Sequence, residues 1–272
     1  DYGMEQGINV FENVPLPVAE SMIDYVFLTH AHVDHSGLLP LLYARGFRGQ
    51  IYTTDATADL CSIMLRDCAH IQSAEAEWKN RKAKRSANNA VVEPLYTIED
   101  AENVKQYVTT CEYGEDVELC EGVSVRFADA GHLLGSACIT VTATENGVTK
   151  KLIFSGDLGN VDQPIIRDPS HFGGADYVIM ESTYGDRNHK DEDISDQELA
   201  DAIAYSYSKG EKVIIPAFAV ERTQEILYCL HILQSKGKLP ADMPVFVDSP
   251  LAIRATEVFR RNRELFAEDV QK

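Results

Sequence analysis

The sequence predicts an α/β fold, and three observations support that prediction. Short apolar runs such as Tyr25–Leu28 recur along the chain, and turn or helical patterns follow them. From Ser195 onward, strand and helix patterns alternate, which is typical of a parallel α/β sheet. On both sides of Asn146-Gly147, apolar and polar residues alternate, which predicts an antiparallel hairpin closed by a tight turn.

Composition is that of a globular protein with one large domain or two smaller ones. The chain has 272 residues, of which 44% are hydrophobic and 25% are charged. No apolar run approaches the ~20 residues needed to cross a bilayer, so no membrane partner is expected. No signal peptide is visible, although the sequence begins at Asp1 without an initiator methionine and therefore says little about targeting.

Charge and cysteine usage narrow the function classes. The formal net charge is −18, which argues against a surface that coats nucleic acid broadly. A protein of this charge that binds a polyanion must hold its basic residues locally. The six cysteines form no C-x-x-C pair, so a cysteine zinc site is not expected. We interpret them as reduced, mostly buried thiols of a cytoplasmic protein.

The stretch from Thr29 to Gly37 holds three histidines and an aspartate within six residues: His30, His32, Asp34 and His35. Neutral imidazole and carboxylate are ligands of zinc and similar divalent ions. The stretch follows an apolar run that reads as a buried strand, so a loop at a strand end presents these side chains. The spacing predicts that the first two histidines face one ion and that the aspartate and the third histidine face a neighbouring one.

Two later glycine-flanked turns each present one further ligand type. His132 lies between Gly131 and Gly135 after an alternating strand pattern, and Asp157 lies between Gly156 and Gly159 after another. Each turn alone is weak evidence, because a residue between glycines is more often an ordinary loop residue. The hairpin between the two strands reverses the chain, so both residues are expected at the same end of the sheet.

The remaining elements are predicted from periodicity in chain order. Helices are expected at 38–45, 57–70 and 97–108, at 195–210 and 223–233, and from residue 252; strands are expected at 50–54, 123–127, 139–143, 151–154, 176–180, 213–215 and 245–247.

The polar segment 72–90 contains the only notable basic cluster: Lys79, Arg81, Lys82, Lys84 and Arg85. A solvated helix face is the default interpretation of such a cluster. A contact with an RNA backbone is the alternative, and Trp78 beside it has the shape to stack on a base or to pack in a core or against a partner.

The motifs resemble a known family. The order H-x-H-x-D-H, then a lone histidine, then a lone aspartate resembles the metallo-β-lactamase fold, and Glu181–Gly185, Ile215–Arg222, Gln224–Leu227 and Asp248–Ala252 resemble its β-CASP branch of nucleases. The resemblance implies an αββα sandwich followed by the start of a parallel α/β β-CASP domain. It implies domains at 1–186 and 187–272. The expected early strands and later histidine motifs have no match here, so we expect a chain truncated at both ends.

The resemblance also implies roles for individual residues. His30, His32 and His132 would hold one Zn²⁺, Asp34 and His35 a second, and Asp157 would bridge the two. Mn²⁺ or Fe²⁺ would suit the same ligands. Two ions ~3.5–4 Å apart hold a hydroxide at neutral pH and flank a phosphodiester.

Three further positions match the family's motifs outside the ligand set. Asp1 would support the metal loop, Glu181 would be half of a proton-donating pair, and Arg222 would contact RNA.

The function expected from the resemblance is a zinc-dependent ribonuclease, endonucleolytic on single-stranded RNA, in a family that often forms homodimers. Two alternatives stay open. One is a small-molecule hydrolase of the same fold, acting on a thioester, lactam or small phosphodiester. The other is a non-catalytic scaffold of RNA processing; such scaffolds lose ligands, whereas every ligand that can be checked here is intact.

Overall fold

The computed structural model describes residues 1–5, 15–85, 91–171, 173–187 and 193–271, and it leaves out the side chains of Arg85 and residues 193–196. The α-helices are α1 (Val33–Ser36), α2 (Leu39–Ala44), α3 (Asp55–Arg85), α4 (Ile98–Asn103), α5 (Asp193–Ser208), α6 (Arg222–Ser235) and α7 (Pro250–Arg261). The strands are β1 (Tyr25–Phe27), β2 (Gln50–Thr53), β3 (Val108–Thr110), β4 (Asp116–Cys120), β5 (Val123–Asp129), β6 (Ala137–Glu145), β7 (Val148–Phe154) and β8 (Tyr177–Ile179). Short 3₁₀ helices lie at Glu20–Met22, Val104–Tyr107 and Arg263–Leu265.

The chain divides into two compact units. The first comprises Asp1–Asn160 and Asp168–Met180, and the second comprises Val161–Arg167 and Glu181–Lys272. The short segment Val161–Arg167 belongs to the second unit because Ile166 forms a β-bridge with Phe266. The division into domains at residues 186 and 187 stays a prediction. Within the described ranges, no helix combines the length and apolarity needed to span a membrane.

The first unit contains two sheets that enclose an apolar core. Strands β1, β2 and β3 form a parallel sheet, and β4 to β8 form a sheet that is antiparallel except for the parallel pair β7–β8. Fully buried Phe127 and Ile139 of the second sheet pack with Phe27 and Tyr52 of the first. Strand side chains alternate between faces, so Ile51 points away from this core, and it too is fully buried.

The predicted hairpin is confirmed. Glu145 pairs with Val148, so Asn146 and Gly147 form a two-residue turn. Both have positive φ, at 50° and 77°, which is the backbone that a hairpin turn of this type requires and that this dipeptide adopts readily. The hairpin returns the chain along β7, so the residues after β7 come back toward the start of β6.

Helix α3 is longer than predicted. We expected a helix ending at His70, and the structure continues it as far as Arg85. The polar segment is rich in alanine, glutamate, lysine and arginine, which have high helix propensity, so the loss of an apolar stripe does not end the helix.

The second unit is helical in its described part. The core between α5 and α6 contains Ala200, Ile203, Leu230 and Leu233. The strands predicted at 213–215 and 245–247 are wrong, since no strand is assigned after β8 in the described ranges. A strand requires a hydrogen-bonded neighbour, and these two segments pair with nothing that the structure describes.

The backbone at the start of α6 is strained. Glu221 has φ 68° and ψ −70°, and the Arg222 N–H donates to the Val220 carbonyl oxygen at 3.1 Å. This is a γ-turn of the rare positive-φ type, which is costly for any residue with a Cβ. Burial also raises the pKa of the Glu221 carboxyl to about 8, and the nearby Glu225 adds to that shift.

Replacing Glu221 with glycine is expected to stabilise the chain. The positive φ of a non-glycine residue costs about 1–3 kcal/mol, and glycine adds about 0.4–1 kcal/mol of unfolded-state entropy, so we expect a net gain of about 1 kcal/mol in the free energy of unfolding. Urea unfolding of the two chains measures this difference. A Glu221→Gly variant that unfolds at a lower urea concentration than the parent would show that the backbone at Glu221 is not strained.

Glu221→Gln separates charge from strain, because it keeps the Cβ and removes the ionisable group. A carboxyl whose pKa is raised on folding holds an extra proton in the folded state, so its contribution to stability falls as pH rises from about 4.5 to about 8. The glutamine variant should therefore gain stability relative to the parent as pH increases through that window. A difference that does not change with pH would show that the carboxyl titrates normally.

Candidate metal centre

The histidine-rich stretch forms a tight loop between β1 and α1. His32 is the residue immediately before α1, and the Ser36 hydroxyl donates to the carbonyl oxygens of Ala31 and His32, at 3.0 Å in each case. These bonds close the loop on itself. They hold the two histidines that begin the motif on a fixed backbone.

Four side chains from three separate loops converge beside this turn. His30 Nε2 lies 3.0 Å from His32 Nδ1, and His132 Nε2 lies 3.3 Å from that same nitrogen. Asp157 Oδ2 lies 3.8 Å from His30 Nε2 and 3.5 Å from His132 Nε2. All four ligand atoms fall within 4.8 Å of one another. The predicted meeting of His132 and Asp157 at one end of the sheet is thus observed.

Four of the six separations between these ligand atoms are close to those around a tetrahedral metal ion. Ligand nitrogens 2.0–2.1 Å from zinc lie about 3.3 Å from each other at the corners of a tetrahedron. The observed separations of 3.0, 3.3, 3.5 and 3.8 Å cluster around that edge length. Three imidazoles and one carboxylate are also a donor set that zinc accepts.

The other oxygen of Asp157 faces the remaining two residues of the motif. His35 Nε2 lies 3.2 Å from Asp157 Oδ1 and 3.8 Å from Asp34 Oδ2. Asp157 therefore presents one oxygen to the four-residue cluster and the other to His35 and Asp34. The Asp34 side chain is the most open of the set, with 66% of it exposed.

Asp1 connects the two groups of ligands. Its Oδ1 accepts the Thr29 N–H at 2.7 Å, and its Oδ2 accepts the Thr29 hydroxyl at 2.8 Å. Its Oδ2 also lies 2.8 Å from His35 Nδ1. The Thr29 hydroxyl in turn lies 3.1 Å from His30 Nδ1.

This network fixes which nitrogen of each ring carries a proton. An ionised carboxylate only accepts hydrogen bonds, so His35 Nδ1 and the Thr29 hydroxyl both donate to Asp1. The hydroxyl proton is then used, so His30 Nδ1 must donate to the Thr29 oxygen. Both rings are left with an unprotonated Nε2 directed at the ligand cluster, which is the form that binds a metal.

Burial keeps the cluster in its metal-binding protonation state. His30 is fully buried, and that burial together with the neighbouring histidines lowers its pKa well below the usual value. Burial, with His132 adding to it, lowers the pKa of His32 to about 4. The close approach of His35 lowers the pKa of Asp157, partial burial opposes that shift, and the neighbouring His132 and His32 add to it. At neutral pH His30 and His32 are therefore uncharged and the Asp157 carboxylate is ionised.

Two glycines allow backbones to touch behind the ligands. A Cβ on Gly3 would lie 1.4 Å from the Asp34 carbonyl oxygen, and a Cβ on Gly159 would lie 1.5 Å from the Gly131 carbonyl oxygen. Neither distance is possible for real atoms. The N-terminal segment therefore packs directly on the first ligand loop, and the Asp157 loop packs directly on the His132 loop.

Two other predicted site residues, Glu181 and Arg222, belong to the second unit. Glu181 follows β8 by two residues and belongs to the second unit, where it is half-buried. Arg222 is the first residue of α6, and its Nη1 lies 3.3 Å from Glu225 Oε2. Their roles stay predictions. His189, whose polar, turn-rich segment predicts a residue that is not a ligand, lies outside the described residues.

The basic cluster, for which a solvated helix face is the default interpretation and an RNA contact the alternative, lies on the C-terminal half of α3. Lys79, Arg81, Lys82 and Lys84 are all exposed there, whereas the side chain of Arg85 is not described.

Sequence reasoning missed the residues that position the ligands. The sequence marks Thr29 only as the start of the motif. In the structure its hydroxyl contacts His30 directly and is connected to His35 through Asp1. The Ser136 hydroxyl accepts the N–H groups of His132 and Leu133, at 3.1 Å in each case, and holds that turn closed. A small hydroxyl residue beside each ligand was the available signal, but hydroxyls are common in loops.

Comparison with known proteins follows the motifs along the chain. The family model for the beta-lactamase superfamily domain matches residues 5–215, and the model for the Beta-Casp domain matches residues 223–272. The chain belongs to the β-lactamase superfamily. The second match places it in the β-CASP branch, as the sequence motifs predicted.

Three relatives illustrate the family. The chain is 37% identical over its whole length to Ribonuclease TTHA0252 of Thermus thermophilus, covering 57% of that protein. It is 31% identical over 84% of its length to the transcription termination factor FttA of Thermococcus kodakarensis, covering 33% of it. It is 30% identical over 89% of its length to an RNase J-like protein of Methanocaldococcus jannaschii, covering 51%. The chain thus spans between a third and somewhat more than half of these β-CASP relatives.

One solved structure, the Rm3 metallo-beta-lactamase, matches at a TM-score of 0.29 and 14% identity, over 50% of this chain and 41% of that one. A TM-score this low does not support an assignment of fold or function. The assignment to the β-lactamase superfamily rests on the family models.

Thr29→Val tests the network that orients the ligands. The substitution keeps the backbone N–H that donates to Asp1 and removes the hydroxyl that links Asp1 to His30. Loss of such an outer partner typically lowers metal affinity by about 10- to 100-fold, and we expect a loss in that range for Zn²⁺ in competition with a chelating dye. Thr109→Val is the matched control, since Thr109 is exposed and bonds only to Gln50. Equal affinity in the two variants would rule out the orienting role.

Gly159→Ala tests the backbone contact between ligand loops. The added methyl cannot fit against Gly131, so His132 must move away from His32 and Asp157. We expect a lower thermal midpoint and weaker zinc binding. Gly173→Ala serves as control, because a Cβ at Gly173 meets nothing within 4 Å. If both alanine variants bind zinc like the parent, the two loops do not depend on each other.

Proposed function

We propose that this β-CASP protein is a zinc-dependent ribonuclease that hydrolyses phosphodiester bonds of single-stranded RNA, with endonucleolytic preference. The single observation that carries the proposal is the placement of Asp157. Its two carboxylate oxygens face two separate ligand groups, as a carboxylate shared between two ions requires. Two relatives named as ribonucleases match this chain over 100% and 98% of its length.

The distances within the site support the following ligand assignment. His30, His32 and His132 would hold one Zn²⁺, Asp34 and His35 would hold the second, and Asp157 would serve both. The donor set would also accept Mn²⁺ or Fe²⁺. Bound there, divalent ions would supply an activated water at neutral pH and would neutralise the charge that develops on phosphate oxygens.

The chain's own side chains prepare the site for that chemistry. The low pKa of His32 and His30 keeps both rings uncharged, so no proton competes with a cation. Asp1 receives the Nδ1 proton of His35 and, through Thr29, that of His30, so neither ring can turn without breaking a hydrogen bond. The partly exposed carboxylates of Asp34 and Asp157 form the open side, where a substrate phosphate would approach.

The leaving 3′ oxygen of the RNA needs a proton. We propose Glu181 as one member of the pair that supplies it. This assignment rests on the motif match of Glu181–Gly185 and not on a measured contact. A cytoplasmic location agrees with six cysteines that are all unpaired, three of them buried.

Asp157→Asn in the full-length gene product tests the proposal. The change removes the charge of the shared carboxylate with little change in shape, so we expect cleavage of a labelled single-stranded RNA to fall by more than about 100-fold, beyond the effect of an outer-partner change. Metal content measured on the same samples should fall as well. Asp116→Asn is the matched control, because Asp116 lies on β4 and pairs with Arg126 away from the ligands.

Two outcomes would redirect the assignment. If the parent protein binds two metal ions and leaves RNA uncut, the small-molecule hydrolase becomes the better reading, and esters and thioesters are the next substrates. If the parent binds no metal, the non-catalytic scaffold gains support.

A further inference from the structure

Helix α3 links the metal centre to a distant surface. At its start, the hydroxyls of Thr54 and Thr57 donate to the Gly135 carbonyl oxygen, at 2.6 and 2.9 Å, and Gly135 belongs to the turn that carries His132. Trp78 lies 21 residues beyond Thr57 on the same helix. At 1.5 Å per residue, that is a separation of about 32 Å along the helix axis.

One face of the far end of α3 is held against the chain. Ala76 is buried, and Asn80 bonds through both side-chain atoms to the backbone of Val92, at 2.8 Å each. Gln72 Oε1 accepts the Leu95 N–H at 3.2 Å. These helix residues recur every fourth position, so they share a face, and the returning segment 91–95 braces it.

The opposite face carries an aromatic ring and positive charge. Trp78 is 54% exposed, and Arg81 and Lys82 follow it at helical spacings of three and four residues. Lys82 Nζ lies 4.9 Å from the centre of the Trp78 ring. Among the described side chains, Arg81, Lys82 and Lys84 form no ion pair. We call Trp78, Arg81, Lys82 and Lys84 the arm surface.

The charge of the arm surface is opposite in sign to the net charge of the chain. Residues 71–85 contain five basic and two acidic side chains, whereas the chain carries a net charge of −18. A solvated helix face has no need of an exposed tryptophan, which costs free energy in water. Unpaired cations beside an exposed aromatic ring are the combination that single-stranded nucleic acid recognises, through its phosphates and by base stacking.

We propose that the arm surface is a second RNA contact, about 32 Å along α3 from the helix start that contacts the His132 turn, and that it binds the part of a single strand that extends beyond the cleavage site. This inference rests on the proposed nuclease function for its role and on the geometry of α3 for its location. A stacked strand advances about 3.4 Å per nucleotide, so about nine nucleotides bridge the two places, and fewer if the strand is extended. The arm therefore favours long single strands over short ones.

Trp78 provides a direct readout, because it is the only tryptophan in the 272-residue chain. We expect a single strand of about 20 nucleotides to quench its fluorescence by stacking, and a strand of about four nucleotides, too short to reach it from the metal centre, to bind there without quenching at the same occupancy. Asp157→Asn should leave the quenching by the long strand intact. Quenching that is absent with long RNA at saturation would overturn the proposal.

Arg81→Gln combined with Lys84→Gln tests the charge contribution. Removing two phosphate contacts should lower the slope of log affinity against log salt by about 1.4 for the long strand and leave the short strand unchanged. Arg66→Gln with Lys105→Gln is the matched control, since these two cations of the first unit pair with Glu102 instead. Trp78→Ala should weaken binding of the long strand by about fivefold or more.

The outcomes separate the two proposals. If RNA is cleaved but the arm variants bind long strands like the parent, the arm proposal fails and the nuclease proposal stands. If RNA is never cleaved but long strands still quench Trp78, the nuclease proposal fails and the arm remains an RNA contact. If the arm variants change the sedimentation coefficient of the protein and leave RNA binding unchanged, the surface joins two copies of the chain and the arm proposal is wrong.

Discussion

Three imidazole rings crowd within hydrogen-bonding distance at the end of a parallel strand, and the folded chain must keep them uncharged without letting them turn. His30 has no exposed surface, so a proton on it would be both desolvated and repelled by its neighbours. The chain meets this constraint with one carboxylate, Asp1, which accepts hydrogen bonds from His35 Nδ1 and from the Thr29 hydroxyl, and that hydroxyl oxygen accepts one from His30 Nδ1. The ligand geometry, the ionised state of Asp157 and the open side of the site all depend on that arrangement.

The scaffold around the rings is built by close backbone contact instead of by large side chains. The Gly159 N–H donates to the Ala130 carbonyl oxygen at 2.9 Å, and the Tyr2 N–H donates to the His35 carbonyl oxygen at 2.8 Å. Such bonds tie the ligand loops to one another and to the N-terminal segment, and only a residue without a Cβ permits the approach. A site held through its backbone keeps its ligand spacing even though its loops lie at the edge of a sheet.

The distribution of charge on the chain would restrict where a polyanionic substrate can bind. A net charge of −18 repels RNA from most of the surface. In the proposed nuclease, attraction would be confined to the cations that the site would bind and to the arm surface on α3. Under that proposal a strand would follow a defined path instead of coating the whole protein, and the length of α3 would set the length of that path.

The sequence by itself determined the superfamily, the ligand types and much of the secondary structure, because each depends on local order along the chain. His30 and His32 share one turn, and Asn146-Gly147 dictates the hairpin that brings the His132 and Asp157 turns to one end of the sheet. Only the tertiary structure decided that Asp157 faces two ligand groups, that Thr29 and Asp1 set the ring protons, and that α3 continues to Arg85. It also showed that the segments 213–215 and 245–247 form no strand within the described residues. These features depend on partners that are distant in sequence. The Asp1 carboxylate lies 28 residues from Thr29, and the segment that braces α3 follows the end of that helix. An alternating pattern also does not show whether a neighbouring strand is present to pair with it.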